Sequence, residues 1–129
     1  SAVDYQKALY IINENRRVLE FSKAIAENDM RVLGDLMYQS HKGLSTAYQV
    51  SCPELDFLVD YTIAYPQVIG ARMMGGGFGG CTINLIEKTA VSHFKKEVSA
   101  AYKNHFNTAC SIYRVKLSQG THLVKLKKK

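Results

Sequence analysis

Several absences limit what this chain of 129 residues can be: it has no tryptophan, two prolines and three cysteines. No apolar run approaches the roughly 20 residues that a membrane span needs, so we expect no membrane partner. The polar start of the chain does not have the form of a signal peptide. Cys52, Cys81 and Cys110 are odd in number and widely spaced, which predicts reduced thiols in a cytoplasmic protein and argues against disulfides or zinc.

Positive charge is concentrated at one end of the chain. The net charge is +6, and Lys125, Lys127, Lys128 and Lys129 carry four of these charges. We interpret this end as a solvated tail. Elsewhere there is no basic stripe with interleaved aromatic residues, which argues against a nucleic-acid partner. The length suits one domain with a real core.

Apolar residues at helical spacing predict four helices, at about 4–27, 30–47, 53–64 and 90–107. Asn28 and Asp29 separate the first two, and Ser51 with Glu54 predicts a capping box before the third. Gly34 inside the second helix suggests that the helix packs closely against a neighbour. The first helix is predicted to bury one apolar face, made of Ala8, Ile11, Ile12, Val18, Leu19, Ile25 and Ala26.

Four further segments are predicted to be strands, at 68–73, 81–86, 110–117 and 122–126. The connections within each pair are short, which favours antiparallel pairing. The fold class is therefore predicted to be α+β, with an antiparallel sheet covered on one face by helices.

A glycine run between the first two strands is the most informative feature of the sequence. Five of the six residues from Gly75 to Gly80 are glycine, whereas an ordinary hairpin needs only about one or two. The run predicts a loop whose backbone approaches a ligand closely or offers N–H groups to an anion. It is not a Walker phosphate loop, because Cys81 and Thr82 follow it rather than Lys and Ser or Thr. The nearest basic residue is Arg72.

No catalytic group of residues can be assembled from the sequence. His41 follows Ser40, but adjacent helical residues point in different directions, so we expect a histidine at the edge of the core rather than a dyad. Asp56 and Asp60 share a helix face, which we expect to be solvated. We therefore assign no catalytic residue and no metal ligand.

Four segments in matching order resemble the galactokinases, a family of the superfamily that also contains homoserine, mevalonate and phosphomevalonate kinases. They are ENRRV at 14–18, SHKGLS at 40–45, SCPELDFLV at 51–59 and GARMMGGGFGGCTINLI at 70–86. The last resembles the third signature motif of the superfamily in its galactokinase form. The resemblance extends from about residue 7 to residue 126, almost the whole chain.

The resemblance implies that residues 1–129 are the C-terminal domain of a galactokinase, with a ferredoxin-like, four-stranded antiparallel sheet. The family phosphorylates galactose with ATP and Mg²⁺. Its N-terminal domain carries the sugar-anchoring motif, the phosphate loop and the catalytic aspartate, so this chain alone is expected to bind neither cofactor and to be inactive. It is also expected to expose an interdomain face through which it self-associates. The loop facing nucleotide and sugar would be Met74, Gly75, Gly76, Gly77, Phe78, Gly79 and Gly80.

Two positions depart from the family pattern. Threonine is usual where this chain has Met74, and histidine is common where it has Tyr10. A lost hydroxyl would remove a hydrogen bond worth roughly 0.5–1.5 kcal/mol. Two alternatives therefore stay open: a galactokinase-like sugar sensor or regulator without kinase activity, and a related kinase for N-acetylgalactosamine or arabinose.

Overall fold

The computed structural model describes residues 1–118, Gly120 and Leu123. The predicted α+β class is confirmed, and the element bounds agree with the predictions to within two residues. In chain order the elements are α1 (Ala2–Glu27), α2 (Met30–Thr46), α3 (Pro53–Ile63), β1 (Val68–Met74), β2 (Cys81–Ile86) and α4 (Val91–Phe106).

Local capping explains where the first helices begin and end. The Ser1 hydroxyl accepts a hydrogen bond from the Asp4 N–H, and Asn28 ends α1 in the left-handed conformation. The Asp29 carboxylate then accepts from the Val32 N–H at 3.0 Å and caps α2, as the sequence predicts. The capping box predicted for α3 is wrong: its N-cap is Cys52, without a side-chain bond.

Helix α2 crosses β1 with its backbone nearly in contact with the strand. A Cβ on Gly34 would lie 1.8 Å from the Ile69 carbonyl oxygen, and one on Gly70 would lie 2.6 Å from the Gly34 Cα. The close packing predicted from Gly34 is confirmed. It brings α2 near enough to β1 for side chains of α2 to reach the strand's backbone.

Strands β1 and β2 form an antiparallel pair, in which Met74 lies opposite Cys81. The core lies between this hairpin and the helices, and it includes the fully buried Leu55, Val59 and Met73. A second cluster joins Val68 of β1 to Phe94 and Val98 of α4. The sheet thus has a helix-covered face that supports the loop between its strands.

Helix α1 does not bury the face that its apolar residues predict. Ile12 is 65% exposed and Leu19 is 73% exposed, whereas Tyr10 and Ala24 are buried. The Tyr10 ring packs against Gly43 of α2, where a Cβ would lie 2.4 Å from the ring. Tyr10 and Ala24 thus mark the inner side of α1, and its outer apolar face is left without a partner among the described residues.

The predicted strand at 110–117 is absent from the structure, whose described part contains only a two-stranded sheet. Residues 107–118 have no regular structure, and Tyr113, Val115 and Leu117 are exposed. A strand is stable only when its N–H and C=O groups are paired, and no described strand pairs with this segment. Apart from Leu123, the strand predicted at 122–126 lies outside the described residues.

Candidate functional site

The glycine run forms the tip of the β1–β2 hairpin and is held at both ends by the paired strands. Five of its residues have positive φ: Gly75 at 82°, Gly77 at 87°, Phe78 at 57°, Gly79 at 122° and Gly80 at 97°. Glycine adopts such angles without strain, whereas other residues rarely do. The backbone path of the loop therefore accounts for four of its five glycines, all except Gly76.

The glycines differ in what surrounds them. A Cβ on Gly75, Gly76 or Gly79 would meet no atom within 4 Å, so these positions are bordered by open space. A Cβ on Gly77 would lie 2.0 Å from the Val50 carbonyl oxygen. One side of the loop is thus packed against the α2–α3 connection, and the other side is free to meet a ligand.

Phe78 anchors the loop through its backbone and leaves its side chain in solvent. Its N–H donates to the Val50 carbonyl at 2.7 Å, while the side chain is 79% exposed. A non-glycine residue in the left-handed region is uncommon and is a recognised feature of functional loops. Phe78 and the exposed Met74 place apolar surface beside the open glycines.

At the base of the loop, His41 of α2 binds the backbone of β1. The Met73 N–H donates to His41 Nδ1 at 3.1 Å, so the proton of the neutral imidazole lies on Nε2. His41 is buried, as predicted, but it contacts Asp56 and Met73 rather than acting with Ser40. Burial lowers the pKa of His41, and the Arg72 charge adds to this effect, while Asp56 and Asp60 act in the opposite direction.

Asp56 is not the solvated carboxylate that its spacing from Asp60 predicts. Its Oδ1 accepts from the Ser51 hydroxyl at 2.5 Å and its Oδ2 from the Ser45 hydroxyl at 3.0 Å. The His41 Nε2 also lies 3.2 Å from Oδ1, although it is not aligned as a good hydrogen bond. Asp60 is exposed, as expected. The missed signal was the pair of serines that flanks the α2–α3 connection.

A second polar network holds the one basic residue near the loop. Glu14 of α1 accepts hydrogen bonds from Arg17 and from the Ser40 hydroxyl, and it lies 3.4 Å from the Arg72 guanidinium. The Arg72 Nε also donates to the Met73 carbonyl at 3.0 Å. The charge of Arg72 is therefore paired within the chain. Glu14 lies in the ENRRV segment, yet periodicity alone did not mark it as a half-buried residue.

The loop can bind and orient a ligand, but it has no group suited to proton transfer. It offers backbone N–H groups, close approach at open glycines and the apolar side chains of Met74 and Phe78. Within residues 1–118, Gly120 and Leu123, no three His, Cys, Asp or Glu side chains are arranged to hold a metal ion. The same residues include no helix that is both long and apolar enough to cross a membrane.

Comparison with known proteins finds one family across most of the chain. Residues 21–104 match the family described as GHMP kinases C terminal. The chain is 40% identical over 119 residues to the galactokinase of Thermotoga petrophila, covering 92% of this chain and 34% of that protein. It is 37% identical over 120 residues to the galactokinase of Homo sapiens, covering 93% of this chain and 30% of that protein.

A solved structure supports the same relationship. The crystal structure of Lactococcus lactis galactokinase complexed with galactose has a TM-score of 0.84 to this chain and 34% sequence identity. The match covers 88% of this chain and 29% of that one. This chain thus spans about a third of the length of the curated relatives that it matches, at 34% of the Thermotoga petrophila protein.

Proposed function

Because this chain belongs to the GHMP kinase C-terminal family, we propose that it is the C-terminal domain of a galactokinase, a kinase that transfers a phosphoryl group from ATP to the anomeric hydroxyl of galactose. The observation that carries the proposal is 40% identity to a galactokinase across 92% of the chain, a span that includes the glycine loop. Residues 1–129 would then act together with an N-terminal domain.

In this role the segment from Met74 to Gly80 faces the nucleotide and the sugar. Gly75, Gly76 and Gly79 border open space, so a ligand can approach their backbone without meeting a side chain. Phosphoryl transfer depends mainly on positioning and on stabilising charge. This chain contributes positioning to the reaction rather than proton transfer, because its loop has no titratable side chain.

The described residues hold no group of three or more His, Cys, Asp or Glu side chains arranged for a metal ion, and we propose no Mg²⁺ site within this chain. We assign no step of the reaction to a metal held here. In the proposed enzyme the Mg²⁺ ligands, the phosphate loop and the catalytic aspartate belong to the N-terminal domain. The isolated chain is accordingly expected to be inactive and to bind neither ATP nor Mg²⁺.

The outer face of α1 is proposed as the surface that the rest of the enzyme covers. We define this face as Ile11, Ile12, Val18, Leu19 and Ile25, all of them exposed. Exposed apolar patches of this kind mark interaction sites, so the isolated chain is expected to self-associate through it. We also propose that the complete enzyme has the ferredoxin-like, four-stranded antiparallel sheet that the resemblance implies. It is expected to be cytoplasmic with free cysteines.

A coupled assay of ADP release tests the proposal with two proteins. The first is this chain alone, and the second is a chimera in which the chain replaces the matched third of the Thermotoga petrophila galactokinase. With galactose, ATP and Mg²⁺ we expect turnover of about 1–100 s⁻¹ from the chimera and none from the chain.

The same assay separates the alternatives. N-acetylgalactosamine and arabinose replace galactose in parallel reactions, and a chimera that prefers either one would contradict the assignment of galactose. A folded chimera that binds sugar and nucleotide without turnover would favour the sensor. In that case Met74→Thr tests whether the missing hydroxyl is the cause.

A further inference from the structure

Asp56 connects two separate supports of the glycine loop. Its carboxylate lies in the first turn of α3, and three side chains from other segments converge on it: Ser45, Ser51 and His41. Two of these contacts continue by short steps to the loop. The Asp56 side chain is 38% exposed, and its three partners fix its position.

The first support runs through His41 to the strand that enters the loop. His41 Nε2 lies 3.2 Å from Asp56 Oδ1, an electrostatic contact rather than an aligned hydrogen bond, and His41 Nδ1 accepts from the Met73 N–H at 3.1 Å. Met73 is the residue before Met74, where β1 ends. The imidazole can accept this bond only while Nδ1 is unprotonated, and a carboxylate facing Nε2 favours that tautomer.

The second support runs through Ser51 to the packed side of the loop. The Ser51 hydroxyl donates to Asp56 at 2.5 Å, which holds the chain next to Val50. The Val50 carbonyl accepts from the Phe78 N–H at 2.7 Å, and it borders Gly77 so closely that no side chain fits there. Ser51 and Val50 therefore set the position of the middle of the loop.

We propose that Asp56 is a positioning residue that fixes the glycine loop at two points, at Met73 through His41 and at Phe78 through Ser51 and Val50. Its effect on catalysis rests on the proposed galactokinase function, but its effect on the loop does not. Loss of the Asp56 carboxylate weakens the support of the loop at Met73 and at Phe78 together, while β1 and β2 stay paired.

Protonation of His41 breaks the first support. An imidazolium has an N–H at Nδ1, which would face the Met73 N–H as a second donor. The charged groups that act on His41 are Asp56 and Asp60 on α3 and Arg72 on β1, and burial disfavours its charged form. The loop base is therefore expected to loosen only in acid, below the ordinary pKa of histidine.

Hydrogen exchange of backbone amides, measured by NMR on the 129-residue chain, tests the supports without any assay of activity. In Asp56→Asn, whose amide has a single acceptor atom, we expect protection of the Met73 and Phe78 amides to fall about five- to tenfold. Amides of α4 should be unchanged. Asp60→Asn, which removes a carboxylate from the next turn of α3, is the matched control. At neutral pH, where His41 is unprotonated, it should leave all these amides unchanged.

His41→Asn provides an independent variant if Asp56→Asn does not fold. The Asn carbonyl can accept from the Met73 N–H but cannot be protonated, so protection of this amide should become independent of pH between about 5 and 7. In the unsubstituted chain the same protection should fall in acid. Equal loss at every amide, or no loss at Met73 and Phe78, would overturn the proposal.

Kinetics of the chimera then measure what the supports contribute to catalysis. Asp56→Asn is expected to lower kcat/KM by about tenfold or more through misplacement of the loop, and Asp60→Asn is expected to leave it unchanged. If exchange at Met73 and Phe78 rises while kcat/KM stays normal, the positioning role of Asp56 is confirmed. The role of the loop in the proposed function would then be wrong.

Discussion

The base of the glycine loop and the outer face of α1 are contrasting surfaces of one small molecule. At the loop, backbone N–H groups donate hydrogen bonds to His41 and to the Val50 carbonyl, and a glycine is packed against that carbonyl. On α1, large apolar side chains are exposed, with Leu19 73% accessible. Contacts within the chain hold the loop in place. The outer face of α1 has no such contacts among the described residues.

This difference separates what the chain needs for its own fold from what it offers to other molecules. Changes in the packed region should reduce stability, and changes on the open surfaces should affect binding instead. Four expected effects test the comparison.

The largest effect is expected where α2 crosses β1. In Gly34→Ala the new Cβ would lie 1.8 Å from the Ile69 carbonyl oxygen, and strand backbone cannot yield easily. We expect the free energy of unfolding to fall by about 3 kcal/mol or more, which outweighs the roughly 1 kcal/mol that Ala gains over Gly in a helix. Urea unfolding followed by circular dichroism measures this, and a stabilised Gly34→Ala would contradict the packing.

The next effect compares two neighbouring glycines in the loop. Gly77 has positive φ and would place a Cβ 2.0 Å from the Val50 oxygen, whereas Gly76 has neither constraint. Gly77→Ala should cost about 2–3 kcal/mol, and Gly76→Ala should stay within about 0.5 kcal/mol.

The same pair distinguishes stability from activity in the chimera. Gly76→Val should lower kcat/KM strongly with little change in Tm, because its side chain enters the open side of the loop. Normal kcat/KM for Gly76→Val would mean that no ligand meets this side of the loop.

The third effect is the dependence of stability on pH. The pKa of His41 is lowered by burial, so the unfolded chain binds the proton more readily than the folded chain. The stability that His41 contributes is therefore fully present above the unfolded pKa of about 6.5 and is lost as pH falls toward the lower folded value. His41→Asn should flatten this part of the curve. Identical curves for both proteins would show that His41 is not the group responsible.

The smallest effect on stability is expected at the outer face of α1. Leu19→Glu replaces an exposed side chain and should change the free energy of unfolding by no more than about 0.5 kcal/mol. Sedimentation velocity should nevertheless show less self-association than in the unsubstituted chain. Asn13→Glu, which adds the same charge at an exposed polar position on the opposite side of α1, is the control. Equal association in all three proteins would show that the chain does not self-associate through this face.

Much of the fold could be predicted because its signals are local. Asn28 and Asp29 mark the break between α1 and α2, and the glycine run marks the hairpin. The strand predicted at 110–117 failed because alternating apolar residues indicate only a strand that has a partner to pair with. The capping box at Ser51 failed because α3 begins one residue later, with Cys52 as its N-cap, and the Ser51 hydroxyl donates to Asp56.

By itself the sequence determined the helices, the hairpin and the glycine-rich tip, since periodicity, caps and positive φ depend on neighbours along the chain. Only the tertiary structure decided which face of α1 is buried, that Glu14 pairs with Arg72, that Asp56 supports the loop, and that Gly77 is packed while Gly76 is open. The physical reason is that burial and pairing depend on atoms from distant segments. Glu14 and Arg72 are 58 positions apart, and no local pattern encodes their meeting.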